Sequence, residues 1–161
     1  MHMSALVRYE MAAPADIVVY ALDRRPVLAV EIKEARQASA KEAAALRRGL
    51  FAHGLLPDSA FYLIVYPTTL FLWRRETPAA DPPDYAASTR PVLNDTQLNV
   101  SLGRDGHLRK GGLQLLVFSW LSVLASDLRA PDATSEPEKM LIDSGVYEQL
   151  RHGDVQFEAD R

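Results

Sequence analysis

Two short apolar segments joined by a turn limit the folds open to this chain. The first runs from Asp16 to Leu22 and is rich in β-branched residues, and the second runs from Val27 to Lys33. Only the four residues 23–26 separate them. Segments of this length and composition are typical of strands. Because the link is so short, the two strands are expected to form an antiparallel hairpin.

The remaining patterns alternate between strand and helix. Residues Gln37 to His53 are mostly helix formers, and Gly54 is placed to end a helix. The proline-rich segment Thr77 to Pro91 is expected to be a connecting loop. Further strands are predicted over Phe61–Tyr66, Leu70–Trp73, Leu98–Leu102 and Val155–Phe157, and further helices over Lys110–Leu128 and Pro137–Arg151. This order predicts an α/β (α+β) fold with a mixed central sheet of four or more strands flanked by helices.

The size and composition fit one domain. The chain has 161 residues, with a core motif over 13–75 and a helical C-terminal half over 92–161. It has no cysteine, which excludes disulfides, a thiolate nucleophile and a Cys-ligated zinc site. The apolar stretch Leu113 to Ala125 is too short to cross a bilayer, and no signal-peptide pattern opens the chain. A cytoplasmic protein with no membrane partner is therefore expected.

The charge is distributed unevenly. A net charge of −3 argues against a strongly basic nucleic-acid binder. Residues 1–75, however, hold ten Lys and Arg against seven Asp and Glu, whereas residues 76–161 hold eight against fourteen. A surface that binds a polyanion is therefore expected in the first half.

Asp16, Glu31 and Lys33 are the residues that suggest chemistry. Glu31 and Lys33 are two apart on one strand, so their side chains point to the same face. Asp16 begins the neighbouring strand of the hairpin and should lie opposite them. Two carboxylates suit a hard cation such as Mg²⁺, and the Ile32 carbonyl, between Glu31 and Lys33, could supply another oxygen. The Lys33 ammonium could hold a water near a phosphorus atom or neutralise charge in a transition state. The alternative is a solvated turn residue beside a surface ion pair of little energetic value.

The hairpin also resembles a known family. The segment Pro14-Ala15-Asp16-Ile17-Val18-Val19-Tyr20, followed by Arg25-Pro26-Val27-Leu28-Ala29-Val30-Glu31-Ile32-Lys33, is similar to the PD-(D/E)XK nuclease superfamily. The nearest branch is the N-terminal nuclease-like domain of type I restriction enzymes. The resemblance covers about Ala13 to Arg74 and implies a restriction-endonuclease-like fold. It also implies that Asp16 and Glu31 hold Mg²⁺ or Mn²⁺ and that Lys33 is the catalytic lysine.

Two features of that family fall on other residues here. Relatives often carry a glutamine four residues before an aromatic residue in the following helix, and Arg47 and Phe51 occupy these places. Relatives also often supply another acid from an N-terminal helix, and Glu10 is the only acidic residue before Asp16.

Nucleic acid, with DNA as the expected type, is the predicted partner. Lys41, Arg47 and Arg48 are candidate phosphate contacts, although a solvated helix face explains each of them equally well. A partner protein or a homodimer could supply recognition. The apolar side chains of Phe118, Trp120 and Leu121 offer a symmetric contact, with burial inside the chain as the plainer alternative.

Two functions follow from these residues. The first is a metal-dependent nuclease that hydrolyses nucleic-acid phosphodiester bonds, favoured by the presence of Asp16, Glu31 and Lys33 together. The second is a catalytically inactive nuclease-like module that binds nucleic acid or protein, favoured by the net negative charge, the small size and Arg47 at the glutamine position.

Overall fold

The structure is a computed structural model that describes residues 15–35, 37–94 and 110–158. The strands in these ranges are β1 (Ile17–Tyr20), β2 (Pro26–Ile32), β3 (Phe61–Val65), β4 (Thr69–Arg74), β5 (Tyr85–Ser88) and β6 (Asp154–Phe157). The helices are α1 (Ala40–Ala52), α2 (Arg90–Leu93), α3 (Lys110–Ala125), α4 (Glu136–Ser144) and α5 (Val146–Leu150). The strands form one mixed sheet in the order β5-β4-β3-β2-β1-β6, so the predicted mixed sheet with flanking helices is confirmed.

The predicted hairpin lies inside this sheet, between β3 and β6. β1 and β2 pair antiparallel, with Ile17 opposite Val30. The turn between them is closed by hydrogen bonds from the Ala21 N–H to the Arg25 carbonyl and from the Arg25 N–H to the Asp23 carboxylate. Arg24 adopts a left-handed conformation with a φ of 70°. The link of four residues therefore produces the hairpin that its length predicts.

β2 and β3 are the one parallel pair among the strands described, and α1 connects them. A parallel pair needs a crossover, which here is a helix packed on the sheet. A Ser39–Glu42 capping box starts α1: the Ser39 hydroxyl accepts from the Glu42 N–H, and the Ser39 N–H donates to the Glu42 carboxylate. The sheet face under α1 is lined by Ala15, Val18, Ala29, Tyr62, Ile64, Tyr66, Phe71 and Trp73. The opposite face packs against α3, α4 and α5.

Two boundary predictions are wrong. The segment Thr77 to Pro91, expected to be a loop, contains β5, which pairs with β4. The prolines at 78, 82 and 83 precede β5. Their loop-forming tendency therefore does not extend to the four strand residues. The single helix predicted over Pro137–Arg151 is two helices, because Gly145 breaks it with a φ of 93°. The strand predicted over Leu98–Leu102 lies outside the described residues.

The apolar helix α3 is part of the core. Trp120 and Leu121 are fully buried within the chain, and the ring of Phe118 stacks on that of Phe157 at 4.1 Å between centroids. The prediction that these side chains form a dimer contact is therefore wrong for Trp120 and Leu121. Within the described ranges, no helix has both the length and the apolarity that crossing a bilayer requires.

A buried ion pair anchors the loop after α3. The Glu138 carboxylate accepts two hydrogen bonds from Arg129, at 2.9 and 2.8 Å, and others from the Trp120 indole and the Asp132 N–H. Burial raises the pKa of Glu138, but these hydrogen bonds more than offset it, so the pKa lies below the ordinary value of 4.5. The pair therefore stabilises the fold at pH values above 4.5, where glutamate in the unfolded chain is ionised. This stabilisation is lost as the pH falls through the lowered pKa of Glu138.

Replacing Glu138 by Gln should lower the free energy of unfolding at neutral pH by about 3 kcal/mol, because it removes the negative charge of a buried carboxylate that is paired with Arg129. The difference between variant and wild type should shrink as the pH falls below 4.5. Urea unfolding at several pH values measures this. The neighbouring Lys139 forms only an exposed pair with Asp143, so Lys139→Ala is the control and should change stability by less than about 1 kcal/mol. A pH-independent effect of Glu138→Gln would contradict the assignment.

Candidate active site

The sheet register brings Asp16 and Glu31 side by side. Ile17 lies opposite Val30, so the next pair along β1 and β2 is Asp16 and Glu31. The Ile32 N–H points towards β1 and the Lys33 N–H points towards β3. Asp16 and Glu31 are therefore a non-hydrogen-bonded pair, the type in which facing side chains come closest, at about 4.5–5.5 Å between Cβ atoms.

Asp16 also closes the end of the β1–β2 ladder. Its side chain is buried, and Oδ2 accepts a hydrogen bond of 2.7 Å from the Ile32 N–H. In a strand the N–H and C=O of one residue point to the same side, so the Ile32 carbonyl is also directed towards β1. Asp16 thus has a structural role at the end of the hairpin.

Glu31 and Lys33 share one face, as expected from their spacing. The Lys33 Nζ lies 3.4 Å from the Glu31 Oε2, and the side chains are 35% and 13% exposed for Lys33 and Glu31, respectively. The Lys33 N–H donates to the Val65 carbonyl at 2.9 Å, which fixes the backbone of Lys33 against the end of β3. An ammonium is therefore held beside a largely buried carboxylate at the C-terminal end of β2.

Glu158 is a residue of this region that the sequence did not reveal. β6 pairs with β1 so that Phe157 lies opposite Ile17, and the Glu158 N–H donates to the Asp16 carbonyl at 2.9 Å. The carboxylates of Glu158, Asp16 and Glu31 thus belong to one row across three strands, and Glu158 is buried. Within residues 15–35, 37–94 and 110–158, however, no three His, Cys, Asp or Glu side chains converge closely enough to form a metal site. The position of Glu158 directly after the predicted terminal strand Val155–Phe157 is the sequence feature that could have indicated it.

Arg47 has a different role from the predicted one. It is buried, and its guanidinium donates to the carbonyls of Thr77 and Pro78 at 3.0 Å each. The charge lies over the rings of Phe51, Tyr62 and Trp73, at 5.0 to 5.3 Å from their centroids. Burial lowers the pKa of Arg47. Arg47 therefore fixes the loop after β4 to α1, and its burial leaves it unable to contact nucleic acid.

Lys41 and Arg48 remain on the surface. They line an open groove of about 510 Å³ between α1 and the loop that contains Ala80 and Pro82. Both are exposed. A spacing of seven residues is about two helical turns, or about 10 Å along the axis. Two cations therefore lie along one face of α1.

The first turn of α1 lies close to the candidate site. Burial, together with the negative charges of Glu42 and Glu31, raises the pKa of Tyr66. Glu42 belongs to that first turn. The carboxylates of Glu42 on α1 and Glu31 on β2 therefore both act on the Tyr66 hydroxyl.

Glu10, the predicted additional acid, lies outside the described residues. A scan against models of protein families finds no match to the chain, and searches of curated proteins and of solved structures find no significant similarity. The geometry of the site and the local resemblance of the hairpin are therefore the features that bear on function.

Proposed function

We propose that this chain is a metal-dependent nuclease that hydrolyses phosphodiester bonds of nucleic acid, with DNA as the expected substrate. The observation that carries the proposal is the placement of Asp16, Glu31 and Lys33 at one end of the β1–β2 hairpin. The crossover helix α1 and the parallel strand β3 that follow the hairpin are consistent with a restriction-endonuclease-like fold.

The donor set suits a hard divalent cation. Asp16 and Glu31 would hold Mg²⁺ or Mn²⁺, and the Ile32 carbonyl lies on the same side of its strand as Asp16. Such ions take oxygen ligands and are commonly held by one or two carboxylates plus waters and substrate phosphate. When bound, the ion would lower the pKa of a bound water and stabilise the leaving oxygen.

Lys33 acts on the phosphate itself. Its ammonium is positioned by Glu31 at 3.4 Å and is partly exposed, so it can reach an anionic substrate. A fixed positive charge stabilises the negative charge that develops on the phosphoryl oxygens in the transition state more than it stabilises the ground state. Lys33 therefore contributes to the rate of cleavage, whereas Asp16 and Glu31 bind and orient the metal ion.

Lys41 and Arg48 extend the site along α1. Nucleic-acid binding depends largely on neutralising backbone phosphates with Lys and Arg. The groove between α1 and the 80–82 loop offers two such cations, Lys41 and Arg48.

The experiment is incubation of supercoiled plasmid with the protein and Mg²⁺ or Mn²⁺. We expect nicked or linear DNA with either ion and intact plasmid when EDTA is present. The control is Lys139→Ala, prepared in the same way, which should cleave like the wild type. Plasmid that stays supercoiled with every divalent ion tested would contradict the proposal.

The second candidate is a nuclease-like module that binds nucleic acid without cleaving it. The observation that favours it is the hydrogen bond from Ile32 to Asp16, together with the lack of a three-residue ligand group in the described part of the chain. Retarded DNA that is never cleaved would support this function over the first.

A further inference from the structure

Tyr66 lies beside Lys33 on the face of the sheet that carries Glu31. In the parallel pair of β2 and β3, Glu31 lies opposite Ile64 and Ile32 opposite Val65, so the next pair is Lys33 and Tyr66. Side chains two apart on a strand share a face. Tyr66 therefore projects on the α1 side, in the same cluster as Ile64.

The Tyr66 hydroxyl has no hydrogen-bond partner among the described residues, although the side chain is only 4% exposed. Among the described residues, the fully buried side-chain N and O atoms that lack a hydrogen-bond partner are Arg47 Nε and Ser59 Oγ. The Tyr66 hydroxyl is not one of them, so it is accessible to water. Tyr62, on the same strand and face, differs: its hydroxyl donates to the Pro57 carbonyl and accepts from the Ser59 N–H. Buried hydroxyls are normally paired with protein or water, so the Tyr66 hydroxyl, which has no protein partner in the described ranges, can exchange water for an acceptor on a bound ligand.

The ring that carries this hydroxyl is held firmly. The Tyr66 N–H donates to the Thr69 carbonyl, and its carbonyl accepts from the Thr89 hydroxyl at 2.8 Å. The Phe71 ring packs edge-on against it at 6.0 Å. A donor that is fixed before substrate binds costs no reorganisation when it acts.

The electrostatic setting keeps this group a donor. Burial and the charges of Glu42 and Glu31 raise the pKa of Tyr66 above its ordinary value of 10.0. The hydroxyl is therefore protonated at neutral pH. In this form it can donate a hydrogen bond to an anionic oxygen.

We propose that Tyr66 is a catalytic residue whose hydroxyl donates a hydrogen bond to a non-bridging oxygen of the phosphodiester being cleaved. This inference rests on the proposed nuclease function and adds a second donor beside Lys33. No covalent bond forms to the tyrosine, and the proton stays on its oxygen.

The test is Tyr66→Phe, which keeps the ring and its packing on Phe71 and removes only the hydroxyl. We expect kcat for cleavage to fall by about 10-fold to 10²-fold, as loss of one positioned donor to a developing oxyanion does. DNA affinity measured with Ca²⁺ should change less than threefold. The matched control is Tyr62→Phe, which loses two structural hydrogen bonds and should lower the unfolding midpoint while leaving kcat unchanged.

A phosphorothioate substrate separates a direct contact from a structural role. With Mn²⁺, sulfur at the oxygen that Tyr66 contacts should slow the wild type, and this slowing should shrink in Tyr66→Phe because the donor is already absent. Wild-type cleavage together with an unchanged kcat in Tyr66→Phe would overturn this inference and leave the proposed function standing. An equal sulfur effect in both proteins would also overturn it. A wild type that cleaves nothing would overturn both.

Discussion

Lys33→Ala should lower the rate of phosphodiester cleavage by about 10²-fold or more, because it removes a fixed positive charge from the developing negative charge of the transition state. The fold should survive, since the side chain is partly exposed at a strand end and its backbone hydrogen bond to Val65 remains. Binding of Mn²⁺ should also survive, since Asp16 and Glu31 are unchanged. Steady-state cleavage of a labelled duplex measures the rate, and calorimetric titration measures the metal.

The matched control for this variant is Lys139→Ala, which removes a lysine from an exposed ion pair on α4. Its cleavage rate should equal that of the wild type. If Lys33→Ala cleaves as fast as Lys139→Ala, the role assigned to Lys33 is wrong even if the protein is a nuclease.

Asp16→Asn should weaken metal binding and cleavage together. The amide oxygen of asparagine can still accept the hydrogen bond from the Ile32 N–H, so the end of the hairpin is preserved while the negative charge is lost. Mutation of residues that support a metal ligand typically lowers metal affinity or activity by 10- to 100-fold. Loss of the charge of the ligand itself should lower each by about 10²-fold or more. Titration with Mn²⁺ and cleavage assays at saturating metal give the two values.

Asp16→Ala distinguishes the two roles of this residue. It removes the acceptor as well as the charge, which leaves the Ile32 N–H unpaired and should lower the free energy of unfolding by about 1–3 kcal/mol. Asp16→Asn should unfold close to the wild type. If Asp16→Asn keeps its Mn²⁺ affinity and only Asp16→Ala is impaired, Asp16 is a structural residue and the inactive binding module becomes the better account.

Local sequence was enough to predict the hairpin, the helix α1 and the shared face of Glu31 and Lys33. Strand period, turn length and capping act over a few residues, so their signals are complete within the segment that they shape. The pairing of Asp16 with Glu31 also followed, because a short turn fixes which strand ends meet.

Tertiary structure decided the features that depend on distant segments. β6 brings Glu158 next to Asp16, the loop after β4 takes the guanidinium of Arg47 out of solvent, and the other elements packed on the same sheet face enclose Trp120. Composition records that a residue is charged or apolar, but not which segment will cover it. Burial depends on packing between elements far apart in the chain, and that packing, rather than any local pattern, separates a buried arginine such as Arg47 from an exposed one such as Arg48.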